Sequence, residues 1–210
     1  MRVRAKIDGI TRLVDAQAAI AAGSDAIGFV FHRASPRYVS VEQARAILCA
    51  LPPFVTAVGV FVDSDPAHVR EQAIAAGVGL LQFHGVETDA ECAAAGMPFI
   101  KAIRMFEPRD AIDLERRFPR ASAYLLDGFN PLQAGGAGTP FDWSWWPRSC
   151  AKPLILAGGL TPTNVAQAIR LTQPFAVDVS SGVEGASKGV KDLTKIHQFM
   201  TEVQRADRGS

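Results

Sequence analysis

The feature of the sequence that most constrains the fold is a repeated alternation of two kinds of segment. Short apolar runs rich in β-branched residues alternate with Ala-rich stretches of helical period, a pattern typical of a parallel α/β sheet. Eight runs predict strands, at residues 3–8, 26–31, 55–62, 80–83, 99–103, 123–127, 153–157 and 175–179. Helices are predicted between them, among others at 15–22, 41–51, 66–76, 89–95 and 164–171.

The number of strands favours a closed barrel over an open sheet. Eight βα units in 210 residues leave roughly 26 residues for each unit, which is lean but within the range of a (β/α)8 TIM barrel. An open doubly wound sheet would use fewer strands and place a glycine-rich phosphate turn after the first one, where this chain has Asp8-Gly9 and no GxGxxG. We therefore expect one α/β barrel domain over residues 1–205 and a disordered tail at 206–210.

Composition excludes several functions. The formal net charge of +1 offers no cationic field for a nucleic acid. No apolar run is long enough to span a bilayer, and the N-terminus does not read as a signal peptide, so no membrane partner is expected. Cys49, Cys92 and Cys150 lie far apart, which argues against a disulfide framework or a thiolate metal cage and fits a reducing cytoplasm.

Two turns near the C-terminus have the composition of a phosphate site. Gly158-Gly159 follows the seventh predicted strand, and Ser180-Ser181-Gly182 follows the eighth. In barrels of this type the loops after these strands bind phosphate through free backbone N–H groups and a helix N-terminus. One such turn alone would be an ordinary connection, but two in adjacent units predict a ligand with a phosphate group. A further glycine-rich segment, 135–139, is either a mobile ligand cover or a plain connection.

Two carboxylates stand at the ends of predicted strands, Asp8 on the first and Asp127 on the sixth. In a ring of eight strands they would face each other across the barrel mouth, where one can take a proton while the other gives one. Apolar neighbours Leu125, Leu126 and Phe129 would raise the pKa of Asp127 by desolvation and suit it to the acid role. The alternative is that each carboxylate only caps the turn after its strand.

Two other polar residues are candidates for ligand contact. Arg37 follows a stiffening proline and could clamp a carboxylate with two hydrogen bonds, or lie solvated at the surface. His84 could contact a ligand, carry a proton or have a structural role. No second His or Cys stands at coordinating spacing, so we expect no metal site.

Nine sequence stretches together resemble one family, that of phosphoribosylanthranilate isomerase, from Lys6 to about Val190. They are KIDGITR, GFVF, SPRYVS, VGVFV, QFHG, LLD, GGAGTPFDW, LAGGLTPTNV and DVSSGVE, in that order. The resemblance implies a (β/α)8 enzyme of tryptophan biosynthesis that converts N-(5'-phosphoribosyl)anthranilate to 1-(2-carboxyphenylamino)-1-deoxyribulose 5-phosphate by an Amadori rearrangement. It implies a small phosphoribosyl substrate, no metal or organic cofactor, and a protein that is a monomer or a homodimer.

The resemblance also implies roles for individual residues. Asp127 matches the general acid that protonates the ring oxygen, Arg37 faces the anthranilate carboxylate, and Asp178 contacts the sugar. Gln82 and His84, in the QFHG stretch, are expected to contact substrate. The phosphate site falls on the two turns already described, made of Gly158, Gly159, Ser180, Ser181 and Gly182.

One position departs from the pattern of the family. The family has Lys-x-Cys-Gly where this chain has Lys6-Ile7-Asp8-Gly9, so an aspartate stands in place of the cysteine that acts as general base. A carboxylate is a weaker base than a thiolate but is almost fully ionised at neutral pH, so the two effects nearly cancel. We therefore expect an enzyme that is active or weakened, with Asp8 as its base.

Two other functions remain open at this point. The related phosphoribosylformimino isomerase of histidine biosynthesis, or a bifunctional relative, uses an aspartate at the equivalent position, but its substrate has two phosphates and would need a second anion site in the early units. A barrel that binds a phosphorylated ligand without turnover is the other possibility.

Overall fold

The computed structural model describes residues 2–128 and 140–208, which form eight strands, seven α-helices and two short 3-10 helices. The strands are β1 Arg4–Ile7, β2 Ala26–Val30, β3 Thr56–Phe61, β4 Leu80–Phe83, β5 Phe99–Met105, β6 Ala123–Gly128, β7 Leu154–Leu156 and β8 Ala176–Val179. The helices are α1 Leu13–Ala21, α2 Val41–Cys49, α3 Pro66–Ala76, α4 Asp89–Ala94, α5 Ala111–Arg117, α6 Val165–Thr172 and α7 Leu193–Arg208. The 3-10 helices are Trp143–Trp145 and Ser181–Val183.

The strands form one closed barrel in the order of the chain, and every neighbouring pair is parallel. Closure occurs between β1 and β8, where Lys6 lies opposite Asp178. The predicted TIM barrel is confirmed and the open sheet is wrong.

The barrel separates two apolar regions. One lies inside it and is formed by small and branched side chains of β5 to β8 and of the residue that follows β7: Ile100, Ala102, Ala123, Leu125, Ile155, Ala157 and Ala176. The larger region lies between the strands and the surrounding helices, and Tyr124 and Leu126 belong to it. Because side chains alternate along a strand, Asp127 shares the inner face of β6 with Leu125. Polar side chains of the inner face therefore lie at the carboxyl end of the barrel, and the inner apolar region lies beneath them.

Local sequence signals set several helix ends. Ser40 and Gln43 form a capping box at the start of α2, and the Asp65 side chain accepts hydrogen bonds from the first turn of α3. At the end of α3, Gly77 adopts the left-handed conformation with φ of 84°. None of the helices in the described ranges is both long and apolar enough to cross a bilayer.

The last helix extends beyond the predicted end of the barrel domain. Helix α7 continues to Arg208, past residue 205 where we expect the barrel to end, and Ala206 is buried. The apolar side chains Ile196, Phe199, Met200 and Val203 recur at helical spacing and are buried as well. This face holds the helix on the barrel, so the expected tail is helical at least to Arg208.

Candidate active site

A buried lysine organises the polar end of the barrel. The Nζ atom of Lys6 on β1 lies 2.9 Å from Oδ1 of Asp8 and 2.9 Å from Oδ1 of Asp178 on β8. It also donates to Oε1 of Gln82 on β4 at 3.0 Å. All four residues are buried. Lys6 lies on β1 and Asp8 directly follows that strand; the two residues are two positions apart and project on the same side of the chain.

A glycine on β2 makes the room that Asp8 occupies. A Cβ atom built on Gly28 would lie 1.7 Å from Oδ1 of Asp8 and 3.1 Å from Cε of Lys6. Any side chain at Gly28 would therefore displace the carboxylate. The GFVF stretch contributes to the site because its glycine has no side chain and so leaves space for the Asp8 carboxylate.

One ammonium serves two carboxylates, and their pKa values diverge. For Asp8, burial raises the pKa, but the charge of Lys6, together with Lys191 and His84, outweighs burial and lowers the pKa below 3.8. For Asp178, burial dominates and the charges of Asp8 and Asp127 add to it, so the pKa rises to about 6 despite Lys6. Asp8 is thus ionised at neutral pH, the form that a general base requires.

Hydrogen bonds continue from Gln82 to the second carboxylate. Nε2 of Gln82 lies 3.1 Å from Nδ1 of His84, and Nε2 of His84 lies 3.0 Å from Oδ2 of Asp127. Asp127 therefore joins the same network as Asp8. The side chains of His84 and Asp127 are 25% and 28% exposed, which is less burial than the apolar neighbours of Asp127 in the sequence suggest. Phe129, one of those neighbours, lies outside the described residues.

The structure places Gln82 differently from the sequence expectation. Gln82 is completely buried and hydrogen-bonded at both ends of its amide. It lies behind His84, so His84 is the residue of the pair that reaches the barrel mouth. The expected contact between Gln82 and substrate has no exposed atom to make it.

Arg37 is paired with an acidic residue that is not among the predicted site residues. Nε and Nη2 of Arg37 donate to the two carboxylate oxygens of Glu184 at 2.6 and 2.9 Å. Glu184 also faces Nζ of Lys191 at 3.3 Å and accepts from the N–H of Gly189. This pair uses two of the five N–H groups of the guanidinium. Arg37 is buried and held in place, and its remaining N–H groups donate to no residue in the described ranges.

The two predicted phosphate turns are adjacent. A Cβ atom on Gly182 would lie 1.8 Å from the carbonyl oxygen of Leu160, so the turns after β7 and β8 are in contact. Gly158 and Gly159 both have positive φ, 82° and 63°. Within residues 2–128 and 140–208, the N–H groups of Gly159, Leu160, Ser181 and Gly182 donate no hydrogen bond. Unpaired N–H groups gathered in this way are what an anion needs.

Close packing connects these turns to the other candidates. A Cβ atom on Gly158 would lie 2.8 Å from Oδ1 of Asp127. On the other side, Oγ of Ser180 donates to the carbonyl oxygen of Asp8, and a Cβ atom on Gly9 would meet Cδ of Arg37 at 2.6 Å. The carboxylates, the guanidinium and the turns thus surround one region at the barrel mouth. The glycine-rich segment 135–139 lies outside the described residues.

Three charged residues of the site were missed in the sequence, although one of them carried a signal. Lys6 and Lys191 are 5% and 3% exposed, but only Lys6 lies inside a strand with an apolar residue on each side, where a lysine is unusual unless it has a partner. Glu184 gave no local signal because its partner Arg37 is 147 residues away. In the described part of the chain no group of three His, Cys, Asp or Glu residues could hold a metal ion.

Comparison with known proteins identifies the family. Residues 5–202 match the family described as N-(5'phosphoribosyl)anthranilate (PRA) isomerase. The chain is 53% identical over 205 residues to an N-(5'-phosphoribosyl)anthranilate isomerase of Pseudomonas fluorescens, covering 98% of this chain and 97% of the relative.

Solved structures agree with this result. The phosphoribosyl anthranilate isomerase of Thermus thermophilus superposes with a TM-score of 0.88 at 38% identity, over 97% of this chain and 99% of the other. A second isomerase, in complex with reduced 1-(o-carboxyphenylamino)-1-deoxyribulose 5-phosphate, gives a TM-score of 0.80 at 38% identity with the same coverage. The chain therefore belongs to the N-(5'-phosphoribosyl)anthranilate isomerase family.

Proposed function

We propose that this protein isomerises N-(5'-phosphoribosyl)anthranilate to 1-(2-carboxyphenylamino)-1-deoxyribulose 5-phosphate, with Asp127 as general acid and Asp8 as general base. Membership of the family makes the chain an isomerase of tryptophan biosynthesis; the roles of its residues are the proposal. One observation carries it: a single network of contacts joins Asp8 to Asp127 beside two turns with unpaired N–H groups.

The reaction needs one proton given and one taken. Asp127 protonates the ring oxygen, the C1'–O bond breaks with its electron pair on that oxygen, and the nitrogen lone pair forms the C1'=N bond of an iminium ion. Asp8 then removes the proton from C2', and the released pair forms C1'=C2' while the C=N electrons return to nitrogen. Protonation at C1' and loss of the enol proton give the ketone, so the substrate is isomerised without an external oxidant.

The other candidates bind rather than react. The unpaired N–H groups of the two turns support a role as the phosphate site. Arg37, fixed by Glu184, supports recognition of the anthranilate carboxylate through its free N–H groups. Asp178 shares Lys6 with Asp8, and its place in this network supports contact with the sugar. We infer a small phosphoribosyl substrate as partner; the cytoplasmic location and the choice between monomer and homodimer stay predictions.

A turnover assay tests the assignment. The fluorescence of freshly made substrate decays as it is consumed, and we expect the parent protein to accelerate that decay. Asp127→Asn should lose about 10²–10⁴-fold in turnover with binding of the product retained, because one proton transfer is removed. Asp8→Asn should lose a similar factor. Equal rates for Asp8→Asn and the parent protein would exclude Asp8 as the base.

Two further measurements separate the remaining functions. Asp8→Cys restores the residue type of the family, and a much faster Asp8→Cys would show that the aspartate limits the rate. Calorimetry measures binding of the product. A protein that binds the product but shows no turnover in the fluorescence assay would be the silent barrel. Turnover of the histidine-pathway substrate at a comparable rate would favour the bifunctional alternative.

A further inference from the structure

The orientation of the Gln82 amide is fixed by a charge. The ammonium of Lys6 has only donors, so the amide atom that faces it at 3.0 Å must be the carbonyl oxygen. Turning the amide over would direct its NH2 group at the ammonium. Gln82 is completely buried, so no water replaces either partner. The NH2 group must therefore point the other way, toward His84.

That orientation in turn determines the protonation of His84. Nε2 of Gln82, a donor, lies 3.1 Å from Nδ1 of the imidazole. Nδ1 must accept this hydrogen bond, so it bears no proton. The imidazole proton then resides on Nε2, which lies 3.0 Å from Oδ2 of Asp127 and donates to it.

We propose that Gln82 is a positioning residue for the general acid: held by Lys6, it keeps His84 in the neutral tautomer protonated at Nε2, and His84 in turn places the transferable proton of Asp127 on Oδ1. The kinetic part of this proposal rests on the proposed function. The tautomer does not, because it follows from the contacts of the protein alone.

The charges around His84 act against this neutral form. Burial lowers the pKa of His84, but the hydrogen bond and charge of Asp127, with the charges of Asp8 and Asp178, outweigh burial and raise the pKa above 6.5. Lys6 is the cation on the same side, behind Gln82. An imidazolium would direct Nδ1–H at the NH2 group of Gln82. Gln82 is therefore the residue that disfavours protonation of His84 at Nδ1.

Holding His84 neutral matters for the acid. A neutral imidazole donates one hydrogen bond to Oδ2, which leaves Oδ1 as the oxygen that bears the proton before the reaction. Oδ1 lies over Gly158, in the turn proposed to bind phosphate, and the ring oxygen of the substrate is two carbons from the phosphate ester. When the proton leaves, the electron pair of the O–H bond stays on Asp127, and the His84 hydrogen bond stabilises the new carboxylate. An imidazolium would instead favour the carboxylate before the reaction begins.

Nitrogen NMR of the free protein tests the tautomer. We propose to label the histidines with ¹⁵N and to assign His84 by its loss in His84→Gln. The expected spectrum at neutral pH has an unprotonated Nδ1 and a protonated Nε2. A spectrum with the proton on Nδ1, or with both nitrogens protonated, would overturn the proposal whatever the activity of the protein.

Two variants of Gln82 test its role. Gln82→Glu preserves the shape of the side chain and the contact with Lys6 but offers an acceptor to Nδ1, so His84 should become doubly protonated and titrate at higher pH. We expect kcat to fall about 100-fold with KM unchanged, since Gln82 touches no ligand. Gln82→Met removes the donor and should give an intermediate effect. Gln204→Met, on the exposed face of α7, is the matched control.

The outcomes discriminate between the proposals. An unchanged His84 spectrum in Gln82→Glu would disprove the positioning role. A rise in KM at constant kcat would show that Gln82 binds substrate. If the parent protein shows the expected tautomer but does not turn over the substrate, the proposed function fails and the inference about His84 stands.

Discussion

Two buried lysines of the barrel, Lys6 on β1 and Lys101 on β5, have very different surroundings. Lys101 pairs with Glu87 at 2.7 Å and donates to the carbonyl oxygens of Phe83 and Gly85. Glu87 completes its own hydrogen bonds with backbone N–H groups of Asp63 and Gly85. One cation meets one anion, and the remaining partners are backbone atoms. This pair braces the segment after β4.

Lys6 faces a surplus of negative charge. Its single ammonium lies between Asp8 and Asp178, and its network continues through Gln82 and His84 to Asp127. Oδ1 of Asp8 is buried and, despite its distance of 2.9 Å from Nζ, finds no hydrogen-bond partner of proper geometry in the described part of the chain. The comparison teaches that a buried ion pair with balanced charge is structural, whereas an excess of carboxylates around one cation identifies groups that can change protonation.

The largest effect is expected from removing each lysine. Lys6→Met and Lys101→Met should each lower the free energy of unfolding by about 3–5 kcal/mol, because each leaves an uncompensated buried carboxylate. Their activities should differ: folded Lys101→Met should retain turnover, whereas Lys6→Met should lose it. Chemical denaturation and the fluorescence assay at low temperature measure both. Equal activity losses per folded molecule would remove the distinction between the two pairs.

The pH dependence of stability tests the charge surplus. The pKa of Asp178 is raised to about 6 in the folded protein against 3.8 in the unfolded chain. Between about pH 4 and pH 6 the folded state therefore binds more protons, so this group's contribution to stability falls as the pH rises. The free energy of unfolding of the parent, relative to Asp178→Asn, should fall by up to about 3 kcal/mol across that window and level off above it. A flat difference would contradict the raised pKa.

Adding a methyl group at Gly28 tests whether the position of the Asp8 carboxylate matters for turnover. Gly28→Ala would place Cβ 1.7 Å from Oδ1 of Asp8 and must displace the carboxylate. A displacement of about 1 Å is expected to reduce turnover about 100-fold. Gly79→Ala, where the added atom meets nothing within 4 Å, is the matched control and should not change turnover. Comparable losses in both variants would mean that the geometry of Asp8 is unimportant.

The smallest effect expected on catalysis concerns the partner of Arg37. Glu184→Gln removes the charge that aligns the guanidinium, and we expect KM to rise about tenfold, equivalent to roughly 1.5 kcal/mol of charge-assisted hydrogen bonding. The exposed pair Arg116–Asp113 provides the contrast: Asp113→Asn should change the free energy of unfolding by less than about 0.5 kcal/mol. A KM unaffected by Glu184→Gln would show that Arg37 needs no alignment.

Local signals in the chain account for several helix ends because their causes are local. The capping box at Ser40, the Asp65 cap and the left-handed Gly77 each depend on a few neighbouring residues. The predicted end of the domain was wrong because Ala206 stands among polar residues, which gave no sign of a buried helical face. Ala206 is buried only when α7 packs against the barrel. Burial of that kind is a property of the whole fold.

The sequence by itself determined the strands and the closed barrel, because apolar periodicity and strand number can be read from the chain directly. It also determined the two carboxylates, because the carboxyl ends of parallel strands share one edge. Only the tertiary structure decided which partners these residues have. Lys6 meets Asp178 across 172 residues and Arg37 meets Glu184 across 147. Electrostatic energy depends on distance in space. The charge balance of the site, and therefore the protonation state of each acid and base, is set only when the barrel closes.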